Sequence, residues 1–167
     1  MNQVNKKPVS DKTAISSLTL SNFRSYKFKR FDIDSNLVVL TGLNGAGKTN
    51  LLEALSFLVP GKGLRRAPLS EVLHKSSQGE DKILNWAVAA KLKIGENMMD
   101  IGTGCEFANY DDKNQKNIKR VIKINGNMVR NQSELGEYVS AQWLTPQMDR
   151  LFAEGASGRR RFIDQIT

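Results

Sequence analysis

The residues best equipped for chemistry run from 42 to 49: Gly42-Leu43-Asn44-Gly45-Ala46-Gly47-Lys48-Thr49. Two glycines with four residues between them, then Lys and Thr, make the Walker A pattern. A polyphosphate needs many N–H donors converging on it, so the backbone around it must curl tightly. Glycine alone tolerates both those dihedral angles and the close approach. Gly45 eases the curl further. A helix starting at the end of the loop aims its N-terminus, with roughly half a positive charge, at the same phosphates. Lys48 then reaches the β- and γ-phosphates as a point charge, and the Thr49 hydroxyl binds Mg²⁺. The chemistry implied is binding of ATP with Mg²⁺.

Other constellations carry less. Glu53 lies one turn into the expected helix and reads as a solvated face residue. Asp111-Asp112 read as acidic relief before a basic strand rather than as metal ligands, and Trp86 and Trp143 read as core. The single cysteine, Cys105, excludes an internal disulfide and a Cys-based zinc site. The single histidine, His74, excludes a His-cluster metal site and reads as surface or helix C-terminal structure.

The elements that must position the loop follow from periodicity. Leu37-Val38-Val39-Leu40 is a continuous apolar run, which predicts a fully buried strand feeding the loop. After the loop, Leu51, Leu52, Ala54, Leu55 and Leu58 recur at helical spacing until Pro60-Gly61 stops the helix. Upstream, Ile15, Leu18 and Leu20, then Tyr26, Phe28, Phe31 and Ile33, predict two antiparallel strands with a bend at Asn22 to Ser25. Downstream comes a short amphipathic helix around Leu69 to His74, then a linker over 76–81. Strands follow near 83–94, 98–108 and 117–124. Asn125-Gly126 predicts a type I′ hairpin turn into Asn127–Arg130. A short helix from Ser133 to Tyr138, a buried strand over Ala141 to Leu144, and a last helix capped by Ser157 complete the reading. Residues 1–13 read as a polar tail, and the last helix runs to Thr167 without a stop signal, so the chain reads as a fragment.

Composition narrows the partner. The 167 residues carry 25 Lys plus Arg against 17 Asp plus Glu, a net charge of +8, which favours a polyanion. The basic residues cluster in 1–30, at Lys62, Arg65 and Arg66, from Lys113 through Arg120 to Arg130, and at Arg159 to Arg161. No segment approaches the roughly 18–20 apolar residues that cross a bilayer, so no membrane partner and a cytoplasmic location are expected.

The loop alone does not separate its users. There is no Asn-Lys-x-Asp base-reading motif, no apolar strand ending in an acid pair, and no Leu-Ser-Gly-Gly signature. Longer stretches do separate them. Leu18-Thr19-Leu20-Ser21-Asn22-Phe23-Arg24-Ser25-Tyr26, then Lys48 to Ala54, Gly63-Leu64-Arg65-Arg66, Trp143 to Asp149 and Gly158 to Asp164 together resemble the RecF recombination mediators, within the ABC/SMC-type ATPases. The resemblance runs in order over 14–167. It implies an α/β fold with a mixed sheet: a P-loop NTPase first lobe whose antiparallel strands flank a buried strand, loop and helix.

The resemblance further implies an ATP-binding, DNA-binding protein of recombinational repair and replication. Such a protein acts on single-stranded or gapped DNA, works with recombination mediator proteins, and at full length forms an ATP-dependent homodimer. Carried over residue by residue, Gly42 to Thr49 hold phosphates and Mg²⁺, and Asn22, Arg24 and Ser25 lie near the nucleotide with Arg24 on a phosphate. Gln147 falls on a Mg²⁺-contacting or water-contacting loop, and Lys62, Arg65 and Arg66 contact DNA or nucleotide. The helical arm, signature motif and acid-tipped strand of that family are absent from 14–167, so hydrolysis by this polypeptide alone is not expected. A non-catalytic nucleotide-binding or interaction module is the rival reading, and an unrelated small phosphotransferase a third.

Overall fold

The computed structural model describes residues 13–74, 85–107, 118–145 and residue 160. Six strands form one sheet: β1 (Thr13–Phe23), β2 (Tyr26–Asp32), β3 (Ala87–Ile94), β4 (Asn97–Phe107), β5 (Ile118–Ile124) and β6 (Asn127–Val129). Their order is β2-β1-β3-β4-β5-β6, and every neighbouring pair is antiparallel. Two helices, α1 (Lys48–Ser56) and α2 (Leu69–Val72), lie in the connection from β2 to β3. A short 3₁₀ helix, Gln132–Glu137, follows β6.

Alternation decides which face is covered. In β3, Val88, Ala90 and Leu92 are buried while Ala87, Ala89, Lys91 and Lys93 are exposed, the period-2 signature of a half-covered antiparallel strand. Leu18 and Leu20 of β1, Met99 and Ile101 of β4 and Ile122 of β5 join the same buried face. Leu51, Ala54, Phe57 and Leu58, in and just after α1, close over it. Phe23, Phe57 and Trp86 interlock as an aromatic knot: Phe23 meets Phe57 edge-on at 5.9 Å and Trp86 edge-on at 5.5 Å. The Trp86 indole N–H donates to the Leu69 carbonyl at 3.1 Å, so the buried ring has a polar partner. Asn125 and Gly126 both have positive φ, 48° and 81°, as the predicted type I′ turn requires.

Four expectations are corrected. Residues 37–40 form no strand; Leu37 is 80% exposed, and Val38 and Val39 are exposed as well. A run apolar on both faces is buried only when strands pair with both its edges and both faces are covered, and none of the described residues does this. Ala141 to Leu144 likewise form no strand, with Leu144 exposed and Trp143 only half-buried, so Trp86 is core and Trp143 is not. The short helix begins earlier than Ser133. Asn131 caps it, accepting from the Ser133 amide, while Glu134 reaches back to the Asn131 amide in a capping box. Thr13, placed in the tail, already belongs to β1. The rest of the tail, the 76–81 linker, Lys113, Lys116, Asp111-Asp112, Gln147, the Ser157 cap, Arg159 and Arg161 lie outside the described residues.

Arg120, read from sequence as one of a run of surface cations, is a clamp. Its guanidinium donates to Thr103 Oγ1 at 2.9 Å, to Gln132 Oε1 at 3.1 Å, and to the carbonyls of Phe57, Val59 and Gly61. It lies 5.4 Å from the Phe57 ring centre. A cation on the C-cap carbonyl of Phe57 and on the carbonyls just beyond it satisfies groups that α1 leaves unpaired, and it opposes the negative end of the helix dipole. Burial lowers the Arg120 pKa to about 10, so the side chain keeps its charge at neutral pH. Arg120→Ala strips three carbonyls, that of the buried Phe57 among them, and the buried Thr103 hydroxyl of a partner at once. We expect a loss on the order of 3 kcal/mol, read as a shift of the urea midpoint at unchanged slope.

Candidate functional site

The loop from Gly42 to Gly47 turns on three left-handed or near-extended glycines: φ is 147° at Gly42, 83° at Gly45 and 93° at Gly47. Gly47 is the N-cap of α1, and no side chain caps that end, so the first-turn amides face outward as free donors. Gly47 is also sterically committed. A β-carbon there would lie 2.9 Å from Tyr26 Oη and 3.0 Å from Ser25 Oγ. The Tyr26 hydroxyl donates to the Gly47 carbonyl at 3.2 Å, and burial raises its pKa, which keeps that donor protonated.

Lys48 curls back over the loop. Its ammonium donates to the Gly42 carbonyl at 2.6 Å and the Leu43 carbonyl at 2.8 Å, leaving one of three N–H groups for an incoming anion. Thr49, next along α1, is exposed. Amide donors, a helix N-terminus and an ammonium are the donor set a polyphosphate requires, and the Thr49 hydroxyl suits its Mg²⁺. Among the described residues no group of three or more His, Cys, Asp or Glu could hold a metal ion.

Behind the loop the structure differs from the sequence reading. Glu53, expected on a solvated face, is 0% exposed. Arg24, expected on a phosphate, is engaged by it: Nε donates to Glu53 Oε2 at 2.8 Å, Nη2 to Oε1 at 2.7 Å, and Nη1 to the Glu71 carbonyl at 2.8 Å. The period-3.6 pattern of α1 puts position 53 on the buried side with Ala54, and two arginines distant in sequence, Arg24 and Arg65, make a carboxylate tenable there. Arg65 Nη1 donates to Glu53 Oε2 and to Asn50 Oδ1, both at 3.0 Å, so this cation is half structural. Lys62 and Arg66 are exposed.

Asn22 has φ 50° and Arg24 φ 51°, so the turn between β1 and β2 carries two non-glycine residues in the left-handed region. Backbone bonds to the last residue of α2 and to the segment after it hold it there: Arg24 N–H donates to the Val72 carbonyl and His74 N–H to the Asn22 carbonyl, each at 2.7 Å. His74 also places Nδ1 2.6 Å from the Arg24 carbonyl. Ser25 sits on the loop side, its Oγ accepting from Asn50 Nδ2 at 3.0 Å. Asn50 and Tyr26 were not singled out from sequence as parts of the site; their only signal is adjacency to Thr49 and Ser25. Cys105, far from this site on β4, is buried, which pushes its thiol pKa up.

A family model described as the RecF/RecN/SMC N-terminal domain matches residues 14–148. Among curated proteins, the DNA replication and repair protein RecF of Mesorhizobium japonicum is 42% identical over 154 residues, and that of Caulobacter vibrioides 46% over 154. Each alignment covers 92% of this chain and 38% of the relative. Among solved structures, the recombination mediator protein RecF-ATPrS in the RecFOR pathway superposes with a TM-score of 0.73. It is 24% identical, with 93% of this chain and 38% of that one covered. RecF-ATP superposes at 0.67 with the same identity. These superpositions carry the fold expected from the sequence, the first lobe of an ABC/SMC-type P-loop protein.

The Gly47 wall is open to a direct test. Gly47→Ala combines a strained φ with a clash on Tyr26 Oη, and should cost on the order of 2 kcal/mol of stability. Tyr26→Phe in the same background removes the nearest atom, and denaturant titration should return part of that loss.

Proposed function

The chain belongs to the RecF/RecN/SMC N-terminal domain family, and on that premise we propose that it is the phosphate-loop lobe of an ATP-binding and DNA-binding protein of recombinational DNA repair and replication. One observation carries the reading: an uncapped helix N-terminus beyond a loop of positive-φ glycines, with the Lys48 ammonium folded over it. Gly42, Leu43, Asn44, Gly45, Ala46 and Gly47 supply the cradle, Lys48 the fixed charge and Thr49 the Mg²⁺ ligand. Arg24 and Asn22 shape the adjoining turn. The relatives' name, DNA replication and repair protein RecF, supports the biological setting. The chain spans about 38% of their length. No helix among the described residues is long and apolar enough to cross a membrane.

DNA is the polyanion that a net charge of +8 would serve, with Lys62 and Arg66 as the exposed phosphate contacts and Arg65 between them and the loop. Single-stranded or gapped duplex DNA is the proposed substrate form. Recombination mediator proteins and, in a longer protein, a second copy joined through ATP are the proposed partners, and the cytoplasm is the proposed location.

Two measurements test this. In a calorimetric titration Lys48→Ala should weaken ATP binding by about 10- to 100-fold, the worth of one charge-assisted contact, while thermal unfolding stays near that of the parent. Unchanged affinity would remove the phosphate-loop assignment. Separately, Lys62→Gln with Arg66→Gln should weaken binding of a fluorescent single-stranded oligonucleotide. The slope of log affinity against log salt should fall by about 0.7 for each phosphate-neutralising cation removed. An unchanged slope would make that pair ordinary solvated surface.

A further inference from the structure

Glu53 is a carboxylate that helix packing alone would not choose. It is 0% exposed, one turn before the buried Ser56 and next to the buried Ala54 on α1, where an apolar residue would bury without the desolvation penalty. Its two oxygens accept three charge-assisted bonds, two from Arg24 and one from Arg65. These arginines come from different segments, the β1–β2 turn and the stretch after α1.

The contacts close into a ring over one turn of α1. Glu53 holds Arg24, whose chain neighbour Ser25 accepts from Asn50 Nδ2 at 3.0 Å. Asn50 Oδ1 accepts from Arg65 Nη1 at 3.0 Å, and Arg65 returns to Glu53. Ser25 and the next residue, Tyr26, are the two side chains that wall Gly47. Glu53 is therefore tied, through Arg24 and the turn that carries it, to the residues shaping the helix N-terminus five positions away.

We propose that Glu53 is a positioning residue for nucleotide binding: by holding Arg24 and Arg65 it seats the Ser25–Tyr26 wall against Gly47 and keeps the α1 amides, Lys48 and Thr49 aimed at the phosphates. The inference rests on the ATP-binding reading of the loop. Glu53 touches no phosphate; it acts through the turn. A buried carboxylate suits this task because a bidentate guanidinium pair fixes distance and plane together, which apolar packing does not.

The test compares ATP affinity with stability in the intact chain. Glu53→Gln keeps the shape and removes the charge, and calorimetric titration well below the unfolding temperature should find ATP bound about tenfold more weakly. Asn50→Ala opens the ring at its opposite side. It should act in the same direction, and the two changes together should cost less than the product of their separate effects. Leu92→Ala, a cavity in β3 remote from the loop, should lose stability and keep the parental affinity. Parental or tighter ATP binding by Glu53→Gln would overturn the proposal, since a freed Arg24 would then serve the phosphates directly. So would an affinity loss in Leu92→Ala matching its loss of stability. Should Glu53→Gln not fold, Asn50→Ala decides alone, and parental affinity there overturns the proposal. Failure of the loop reading appears separately, as unchanged ATP affinity in Lys48→Ala.

Discussion

A helix that offers its N-terminus to a ligand has to be held by everything else. α1 is nine residues long, too short to be stable by propensity alone, and its N-terminal amides have no side-chain cap. The means of holding it are distributed along its length. The Ser25–Tyr26 wall fits against Gly47 at one end, the Glu53 carboxylate takes two arginines at mid-helix, and Arg120 donates to the Phe57 and Val59 carbonyls just past the other end. Leu51 and Ala54, with Phe57 just beyond, press the remaining face onto the sheet.

That division also reorganises the meaning of the charge. Basic residues that look alike in the sequence fall into two populations. Arg24 and Arg120 are engaged inside the fold by a carboxylate and by backbone carbonyls, and Arg65 is shared, its side chain 40% exposed while one nitrogen holds Asn50 and Glu53. Lys62 and Arg66 are left facing solvent. A net positive charge is thus an upper bound on what a polyanion can meet. Guanidinium, planar and rich in donors, supplies the internal contacts that an ammonium could not make in parallel.

What was legible in the sequence was whatever depends on neighbours in the chain. The glycine turns of the 42–47 loop, the Asn125-Gly126 turn and a strand within 83–94 each need only local stereochemistry, and each is found. Burial of 37–40 and of 141–144 was inferred from composition, but burial requires a partner, and the run of residue types does not name one. Glu53 was misread for the same reason in reverse: a carboxylate looks solvated until an arginine 29 residues away is brought to it. Arg24 meets the Glu53 carboxylate, a partner that its neighbours in the chain do not announce. Fold class is readable because the loop signal, the helix after it and the antiparallel strand pairs agree, although the strand expected ahead of the loop does not form; the wiring behind the loop is not, because it is made of long-range pairs.

Strand order gives the sheet one further property. β3 with β4 and β5 with β6 are hairpins, and β1 with β2 is another, each closed by a turn of a few residues. β1 with β3 is different, because everything from the end of β2 to Ala87, including the loop and both helices, lies between them. The entropy of closing such an excursion grows only logarithmically, about 0.6 kcal/mol for each doubling of its length. A sheet joined this way tolerates wide variation in what it carries at that junction. The glycine loop and its helix occupy a connection whose length the scaffold hardly registers.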